Sequence, residues 1–158
     1  MLTTAKEVGK LKPDGVKIHL LHIMKNTKME GTGMELTKVA TEKAPAAIGP
    51  YSQAVVCGNM VFTSGQIAIN PANGEVEAKT ITEQTEQVMK NLGEVLKAAG
   101  TGFENAVKTT CFLAEIADFS AFNAVYAKYF TTKPARSCVA VKDLPKGVLV
   151  EVEVIAVK

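Results

Sequence analysis

The sequence has no tryptophan, three cysteines and only one arginine among its 18 lysines and arginines. The cysteines, Cys57, Cys111 and Cys138, form neither a Cys-x-x-Cys pair nor a metal-ligand spacing. Their odd number and their apolar, strand-like surroundings argue against a disulfide framework. They indicate reduced core thiols, which predict a cytoplasmic protein.

Long hydrophobic runs are also missing. The longest apolar run near the N-terminus, residues 16–24, is interrupted by Lys17, His19 and His22, and it is far shorter than the roughly 20 residues that a helix needs to cross a bilayer. It lacks a small-residue cleavage site and arginine, so neither a signal peptide nor a mitochondrial leader is expected. The two histidines have no third ligand in view, so no metal is expected either.

Most of the chain has no excess of positive charge. The net charge is +2, but residues 1–33 contain six lysines and three acidic residues, whereas residues 34–158 contain twelve cationic and thirteen acidic residues. A slightly acidic region without an aromatic and basic cluster is a poor surface for a phosphate backbone. Nucleic acid is therefore an improbable partner, and no membrane partner is expected.

The remaining composition is that of one globular domain. A chain of 158 residues with 47% hydrophobic and 22% charged residues can bury an ordinary core without disulfides. Residues 1–33 differ from the rest because they are lysine-rich and weakly periodic. The pair Glu30-Gly31 has purine-rich codons and precedes Met34, at the distance of a bacterial ribosome-binding site. We therefore expect the natural start at Met34, with a genuine N-terminal arm as the alternative.

The first half of the domain is predicted to contain three strands and a long helix. The strands cover residues 52–56, 60–64 and 65–69, and a Gly-Asn turn joins the first two. The helix covers residues 80–99, where apolar side chains recur at three- and four-residue steps. Thr80 and Glu83 form a capping box at its start, and Gly100 ends it.

The second half is predicted to continue with a strand over residues 106–114 and a helix capped by Asp118. An aromatic stripe on this helix is expected to pack against the sheet; it consists of Phe119, Phe122, Tyr126 and Tyr129. Two final strands cover residues 135–141 and 148–157. The order βββαβαββ predicts an α+β domain with both helices on one face of a mixed sheet. Other copies of the chain are expected to cover the opposite face, which makes the protein a homo-oligomer.

Arg136, the single arginine, is the first candidate for ligand binding. A lysine-rich sequence needs arginine where a planar fork must bind a carboxylate or phosphate through two parallel hydrogen bonds. A structural ion pair at a strand end is the alternative that the arginine alone leaves open.

The last strand provides a second candidate. Its valines occupy every other position and predict a core face, so Glu151 and Glu153 lie on the other face beside Leu149 and Ile155. A carboxylate in a half-apolar environment has a raised pKa that suits proton transfer. Two solvated glutamates on an exposed face are the alternative.

Several short motifs occur together in this sequence. They are Ala-Pro-Ala-Ala-Ile-Gly-Pro-Tyr-Ser-Gln at 44–53, Thr-Ser-Gly-Gln at 63–66, Asn-Leu at 91–92, Lys-Thr-Thr at 108–110, Pro-Ala-Arg-Ser-Cys-Val at 134–139 and Glu-Val-Glu at 151–153. From about Thr37 to the last residue, the chain resembles the RidA (YjgF-like) family of reactive-intermediate deaminases. The arginine block, combined with the glutamates of the last strand, distinguishes the deaminase branch from relatives that lack the arginine.

The resemblance implies a chorismate-mutase-like fold and a homotrimer whose active sites lie in clefts between neighbouring subunits. It also implies a reaction, the hydrolysis of 2-imino acids to 2-oxo acids and ammonia, with no cofactor and no metal. The substrates would be the enamine or imine products of pyridoxal-phosphate dehydratases. The RidA-like domain covers residues 34–158, and residues 1–33 form an extension outside the match.

By the same resemblance, Arg136 binds the substrate carboxylate and Glu151 holds the attacking water and exchanges protons with it. The main-chain carbonyl of Cys138 is the second anchor for that water, so the thiol need not react. The strands that contain Arg136 and Glu151 are joined by a short loop, so the two side chains can approach each other if these strands are neighbours.

Other positions match the parts of the family pattern that line the cleft. Tyr51 and Ser64 match cleft residues, and the backbone N–H of Gly65 matches a group that can meet the carboxylate. Asn123 also matches a family position, but the sequence gives it no physical role.

Two other functions stay open. A regulatory module could bind small carboxylic acids at the same site without turnover; it would need Arg136 but not Glu151. An endoribonuclease or translation inhibitor, an activity attributed to the wider family, is disfavoured because the matching region has a net charge of −1 and no histidine for acid–base chemistry.

Overall fold

The structure, a computed structural model, describes residues 27–28 and 35–158. Of the N-terminal extension, the structure describes only a short strand at Thr27–Lys28. The predicted start at Met34 and the absence of a metal at His19 and His22 concern residues outside the described part of the chain. No helix in the described part of the chain is long and apolar enough to cross a membrane.

A single mixed sheet and two helices form the described domain, and this confirms the predicted α+β class. The strands are β1 (Thr27–Lys28), β2 (Glu35–Val39), β3 (Ala54–Cys57), β4 (Met60–Thr63), β5 (Ala106–Leu113), β6 (Ala135–Ala140) and β7 (Val150–Val157). Their order in the sheet is β1-β2-β3-β4-β7-β5-β6. Only β5 and β6 are parallel, and the other neighbouring strands are antiparallel.

Helix α1 (Ile81–Ala99) begins and ends as the sequence predicts. The Thr80 side chain accepts a hydrogen bond from the Glu83 backbone N–H, and the Glu83 carboxylate accepts one from the Thr80 N–H. Gly100 ends the helix in the left-handed conformation with φ 86°, which glycine adopts without steric cost. The predicted apolar stripe is buried: Ile81, Thr85, Val88, Met89, Leu92, Val95, Leu96 and Ala99.

Both helices pack on the valine face of the sheet, as predicted. Val150, Val152 and Val154 of β7 are almost completely buried, and α2 (Phe119–Tyr129) contacts the same face through a hydrogen bond between Tyr126 and Thr109 of β5. On the opposite face, Phe62 of β4 is 43% exposed. Apolar side chains therefore remain accessible on the sheet face that lacks helices.

Three predictions about individual elements are wrong. Residues 65–69 do not form a strand: only Gln66 pairs, in an isolated bridge with Val152, because the chain turns where the Ile69 N–H bonds to the Ile67 carbonyl. Strand β2 is present although no strand was expected there, since its partly polar sequence gains stability from pairing with β3. The Asp118 side chain does not cap α2, because residue 118 already has helical backbone angles at the end of a short 3-10 turn.

The two strands of the candidate site are not neighbours. Strand β5 lies between β6, which contains Arg136, and β7, which contains Glu151. The condition under which Arg136 and Glu151 could approach each other, namely that their strands are neighbours, is therefore not met within one protomer. A parallel pair needs a long crossover, and α2 provides it between β5 and β6. The short loop after β6 connects it to β7, which lies on the other side of β5.

Candidate active site

Four of the predicted site residues lie in one cleft. It has a volume of about 400 Å³ and forms where the loop before β3, the segment after β4 and the start of β7 meet. The four are Tyr51, Ser64, Gly65 and Glu151. Isoleucine and proline side chains, including Ile48 and Ile67, cover much of the remaining wall. The cleft is therefore apolar, with few polar groups, as is usual for small-molecule sites.

Glu151 is held against the main chain of Gly65. A Cβ atom added at residue 65 would overlap Glu151 Oε1, so glycine is what leaves room for the carboxylate. Burial raises the pKa of the Glu151 carboxyl, and the nearby charge of Glu153 raises it further. A carboxylate with a raised pKa is a stronger base at neutral pH. The geometry thus suits Glu151 to hold a water molecule and accept its proton.

Gln53 fixes the loop that forms the opposite wall of the cleft. Its side chain is buried; it accepts a hydrogen bond from the Thr41 N–H at 2.6 Å and donates to the Thr41 and Pro45 carbonyls at 3.0 and 2.7 Å. This network orders the chain before β3, and Tyr51 lies half-exposed. No role was predicted for Gln53, although it belongs to the motif at 44–53, because its partners are backbone atoms that no sequence pattern indicates.

Ser64 presents an acceptor to the cleft. Its hydroxyl donates to the Ser52 carbonyl at 2.6 Å, so its oxygen retains lone pairs that can accept a hydrogen bond. The Ser64 N–H is also used, in a bond to the Gln53 carbonyl at 2.9 Å. Ser64 is therefore firmly positioned, but among the residues that the structure describes it has no basic partner that would make it a nucleophile.

Arg136 lies on the helix face of the sheet. In the parallel register it pairs with Thr109, which is completely buried beneath α2. Its Nη1 donates to Asn123 Oδ1 at 2.6 Å, and its guanidinium lies over the Tyr126 ring at 4.7 Å and the Phe119 ring at 5.5 Å from the centroids. Within the described residues it has no salt bridge. The structural ion pair considered for this arginine is therefore not formed with any described residue.

Arg136 and Glu151 belong to opposite faces of the same protomer. The alternation in β7 directs Val150 and Val152 into the core, so Glu151 points away from the helices, while Arg136 contacts α2. Within one protomer, the two side chains therefore do not face a common space.

Comparison with known proteins identifies the family. Residues 41–158 match the family model described as Endoribonuclease L-PSP. The chain belongs to this family. The RidA-like character expected from the sequence motifs is confirmed, since proteins named reactive intermediate deaminase or 2-iminobutanoate/2-iminopropanoate deaminase are among its relatives.

Relatives of this L-PSP family member have names that indicate different functions. AldR from Lactococcus lactis, a suspected regulator, is 55% identical over 119 residues, or 75% of this chain and 94% of that protein. The 2-iminobutanoate/2-iminopropanoate deaminase of Capra hircus is 50% identical over 121 residues, or 76% of this chain and 88% of that protein. The structure of E. coli TdcF with bound serine matches with a TM-score of 0.73 at 42% identity and covers 77% of this chain and 98% of that one.

The cysteines of this L-PSP family member form no disulfide. Cys111 is buried, but Cys57 and Cys138 are only partly buried, so the expected core position is right for Cys111 alone. Burial raises the pKa of the Cys111 thiol to about 12 and also raises that of Cys138. Both thiols are therefore protonated at neutral pH and are poor nucleophiles.

Lys146 and Gln66 line the same cleft but were not predicted. Gln66 connects the segment after β4 to β7, because its backbone N–H and carbonyl both form hydrogen bonds with the backbone of Val152. Lys146 has a left-handed backbone with φ 57°, which is uncommon for a residue other than glycine. The Pro-Lys-Gly sequence at 145–147 suggests a turn, but only the fold shows that this turn borders the cleft.

Proposed function

We propose that this protein is a 2-iminobutanoate/2-iminopropanoate deaminase, a hydrolase that acts on C=N bonds. The observation that supports this most directly is the placement of Glu151, with a raised pKa, against Gly65 in a small and mostly apolar cleft. A relative at 50% identity has this activity in its name. The substrates are small 2-imino acids, and the products are 2-oxo acids and ammonia. No cofactor is needed.

The reaction requires only orientation and proton transfer. Arg136 binds the carboxylate of the imino acid through its guanidinium, with a further hydrogen bond from the Gly65 N–H. Glu151 and the main-chain carbonyl of Cys138 hold a water molecule, whose oxygen forms a bond to C2 while Glu151 accepts its proton. Glu151 then gives this proton to the nitrogen, which receives the electron pair of the C=N bond, so that C2 carries a hydroxyl and an amino group. The hydroxyl proton next passes through Glu151 to the amino nitrogen, the C–N bond breaks, and ammonia leaves as the C2 carbonyl forms. Tyr51 and Ser64 border the substrate.

The proposed site is shared between protomers of a homotrimer. Arg136 and Glu151 lie on opposite sheet faces of one chain, and apolar side chains such as Phe62 and Val139 are exposed on the face without helices. Burying those side chains against other copies of the chain would be favourable. The same packing would bring Arg136 of one protomer to the Glu151 cleft of the next. A cytoplasmic location stays a prediction from the cysteine content.

The test couples a threonine dehydratase to the purified protein and follows the decay of 2-iminobutanoate by absorbance. We expect faster decay than in buffer. Arg136→Lys should lower kcat/KM by about tenfold or more, because the fork that binds both carboxylate oxygens is lost. Glu151→Gln should lower kcat by about 100-fold, because the base is lost. Glu75→Gln makes the same chemical change at an exposed position and should keep full activity.

A regulatory module that binds small acids without turnover is the second candidate, in line with the naming of AldR as a regulator. It predicts that a 2-oxo acid binds to the wild-type protein, that Arg136→Lys weakens this binding, and that imine decay is not accelerated. Such a result would contradict the deaminase proposal while keeping Arg136 as the carboxylate ligand. Cleavage of labelled RNA by the wild type but not by Glu151→Gln would instead support an endoribonuclease.

A further inference from the structure

Among the described residues, the Arg136 guanidinium has a hydrogen-bond acceptor but forms no salt bridge with a carboxylate. Only Nη1 has a hydrogen-bond partner among the described residues, and this partner is the amide oxygen of Asn123, at 2.6 Å. The guanidinium also lies over the rings of Tyr126 and Phe119. Amide oxygens and aromatic faces attract a cation without neutralising it. We call Asn123, Phe119 and Tyr126 the neutral cradle.

The cradle is itself rigid. The Tyr126 ring is buried, and its hydroxyl is hydrogen-bonded to Thr109 Oγ1 at 2.8 Å. Tyr126 stacks on Phe130 with a centroid distance of 4.4 Å, and Phe130 is buried as well. Asn123 follows Phe119 by one helical turn of α2, so both are presented on one side of that helix. The cradle therefore restricts the motion of a long side chain that would otherwise lose rotamer entropy on binding a ligand.

Residue 123 is a neutral asparagine rather than an aspartate, so its contact with Arg136 is a hydrogen bond and not an ion pair. Aspartate has almost the same shape as asparagine and would bond to the same Nη1. It would also place a full negative charge beside the guanidinium, where it would compete with a ligand carboxylate. Asparagine fixes the fork and leaves its charge available, together with the Nη2 and Nε donors that have no partner in the described region.

We propose that Asn123 is a positioning residue for the reaction: it orients Arg136 and, because it is neutral, keeps the guanidinium available for the carboxylate of the substrate. Phe119 and Tyr126 complete the positioning through their ring faces. This inference rests on the proposed function of Arg136. It assigns Asn123 no contact with the reacting atoms.

The test compares two substitutions in the full-length protein, Asn123→Asp and Asn123→Ala. The measurements are the Kd for 2-oxobutanoate by calorimetry and the KM and kcat for 2-iminobutanoate in the coupled assay. Asn123→Asp should raise Kd and KM by about tenfold or more, since a carboxylate now competes for Arg136. Asn123→Ala should raise them by only about threefold, because it removes one hydrogen bond and adds no charge. In both variants kcat should change less than KM.

Which of the two variants binds 2-oxobutanoate more weakly decides between a positioning role and a purely structural role. If residue 123 only fills space and supports α2, alanine should be the more harmful change, because aspartate preserves the shape. Equal binding by Asn123→Asp and the wild type would overturn the proposal, and so would weaker binding by Asn123→Ala than by Asn123→Asp. Asn59→Asp adds the same charge at an exposed turn between β3 and β4 and should leave Kd unchanged.

Stability and wild-type activity separate the remaining outcomes. An aspartate beside a guanidinium is a favourable pair, so Asn123→Asp should unfold at or above the temperature of the wild type. Failure of this variant to fold would also overturn the inference, because the cradle must accept a carboxylate without strain. If the wild type neither binds 2-oxobutanoate nor hydrolyses the imine, the proposed function fails; if the wild type does both and only the variant order is wrong, the role of Asn123 alone fails.

Discussion

Gly65 shows how one residue without a side chain makes room for the proposed base, Glu151. The Glu151 carboxylate occupies the space that a Cβ at residue 65 would need. The carboxylate therefore lies close to the residue whose N–H is the proposed donor to the substrate. Sequence motifs predicted that both residues belong to the site, but their contact depends on the bridge between Gln66 and Val152, which no sequence pattern indicated.

We expect Gly65→Ala to abolish most of the activity with little loss of stability. The added methyl group displaces the end of a flexible side chain rather than backbone, so Glu151 can rotate away while the fold persists. The activity should fall by about 100-fold, as for loss of the base. The free energy of unfolding, measured by chemical denaturation, should change by less than about 1 kcal/mol.

A double-mutant cycle checks the cause. If Gly65 acts through Glu151, Gly65→Ala combined with Glu151→Gln should be no less active than Glu151→Gln alone, because residues that share one function are not additive. Additive losses would show that Gly65 acts independently, for example through its N–H.

At the scale of elements, α1 was the most predictable part of the chain. Its stripe, its capping box and its terminal glycine all agree with the structure, because each depends on residues close together in sequence. Strand β2 and the segment after β4 were mispredicted for the opposite reason. Their conformation depends on partners far along the chain, namely β3 and β7, and local propensity for a strand is weak evidence when pairing decides.

The capping box gives a prediction for this element. Thr80→Ala removes the side chain that accepts from the Glu83 N–H and should lower the free energy of unfolding by about 1 kcal/mol, measured by urea denaturation. Thr82→Ala makes the same chemical change two residues later at an exposed position and should not destabilise, since alanine has the higher helix propensity. Equal losses from both variants would contradict the role of the cap.

At the scale of the whole molecule, one chain does not bring the proposed site residues together. The proposed carboxylate ligand and the proposed base lie on opposite faces of the sheet, and β5 separates their strands. The proposed homotrimer would resolve this by combining the helix-face arginine of one protomer with the cleft of another. It would also bury the apolar sheet face, including Phe62 and Val139.

Mixing two inactive variants tests this arrangement. Arg136→Ala and Glu151→Gln should each be inactive, but a mixture that is unfolded and refolded together should recover roughly a quarter of the wild-type activity. At each shared site the arginine is intact in half of the protomers and the glutamate is intact in half of their neighbours, so both are intact in about a quarter of the sites. Each variant refolded alone is the control. Recovery no greater than in these controls would show that both residues act from the same protomer, and light scattering that shows a stable monomer would exclude the shared site.

The sequence by itself determined the domain class, the limits and caps of α1, the alternation of β7 and the identity of the candidate site residues. These features depend on local periodicity, on local capping chemistry and on short motifs. Only the tertiary structure decided which residues meet: Glu151 with Gly65, and Arg136 with Asn123 and two aromatic rings. The physical reason is that strand order and register are set by contacts between distant segments. Arg136 pairs with Thr109 of β5 and Glu151 pairs with Phe112, and positions an odd number of residues apart on one strand lie on opposite faces of the sheet.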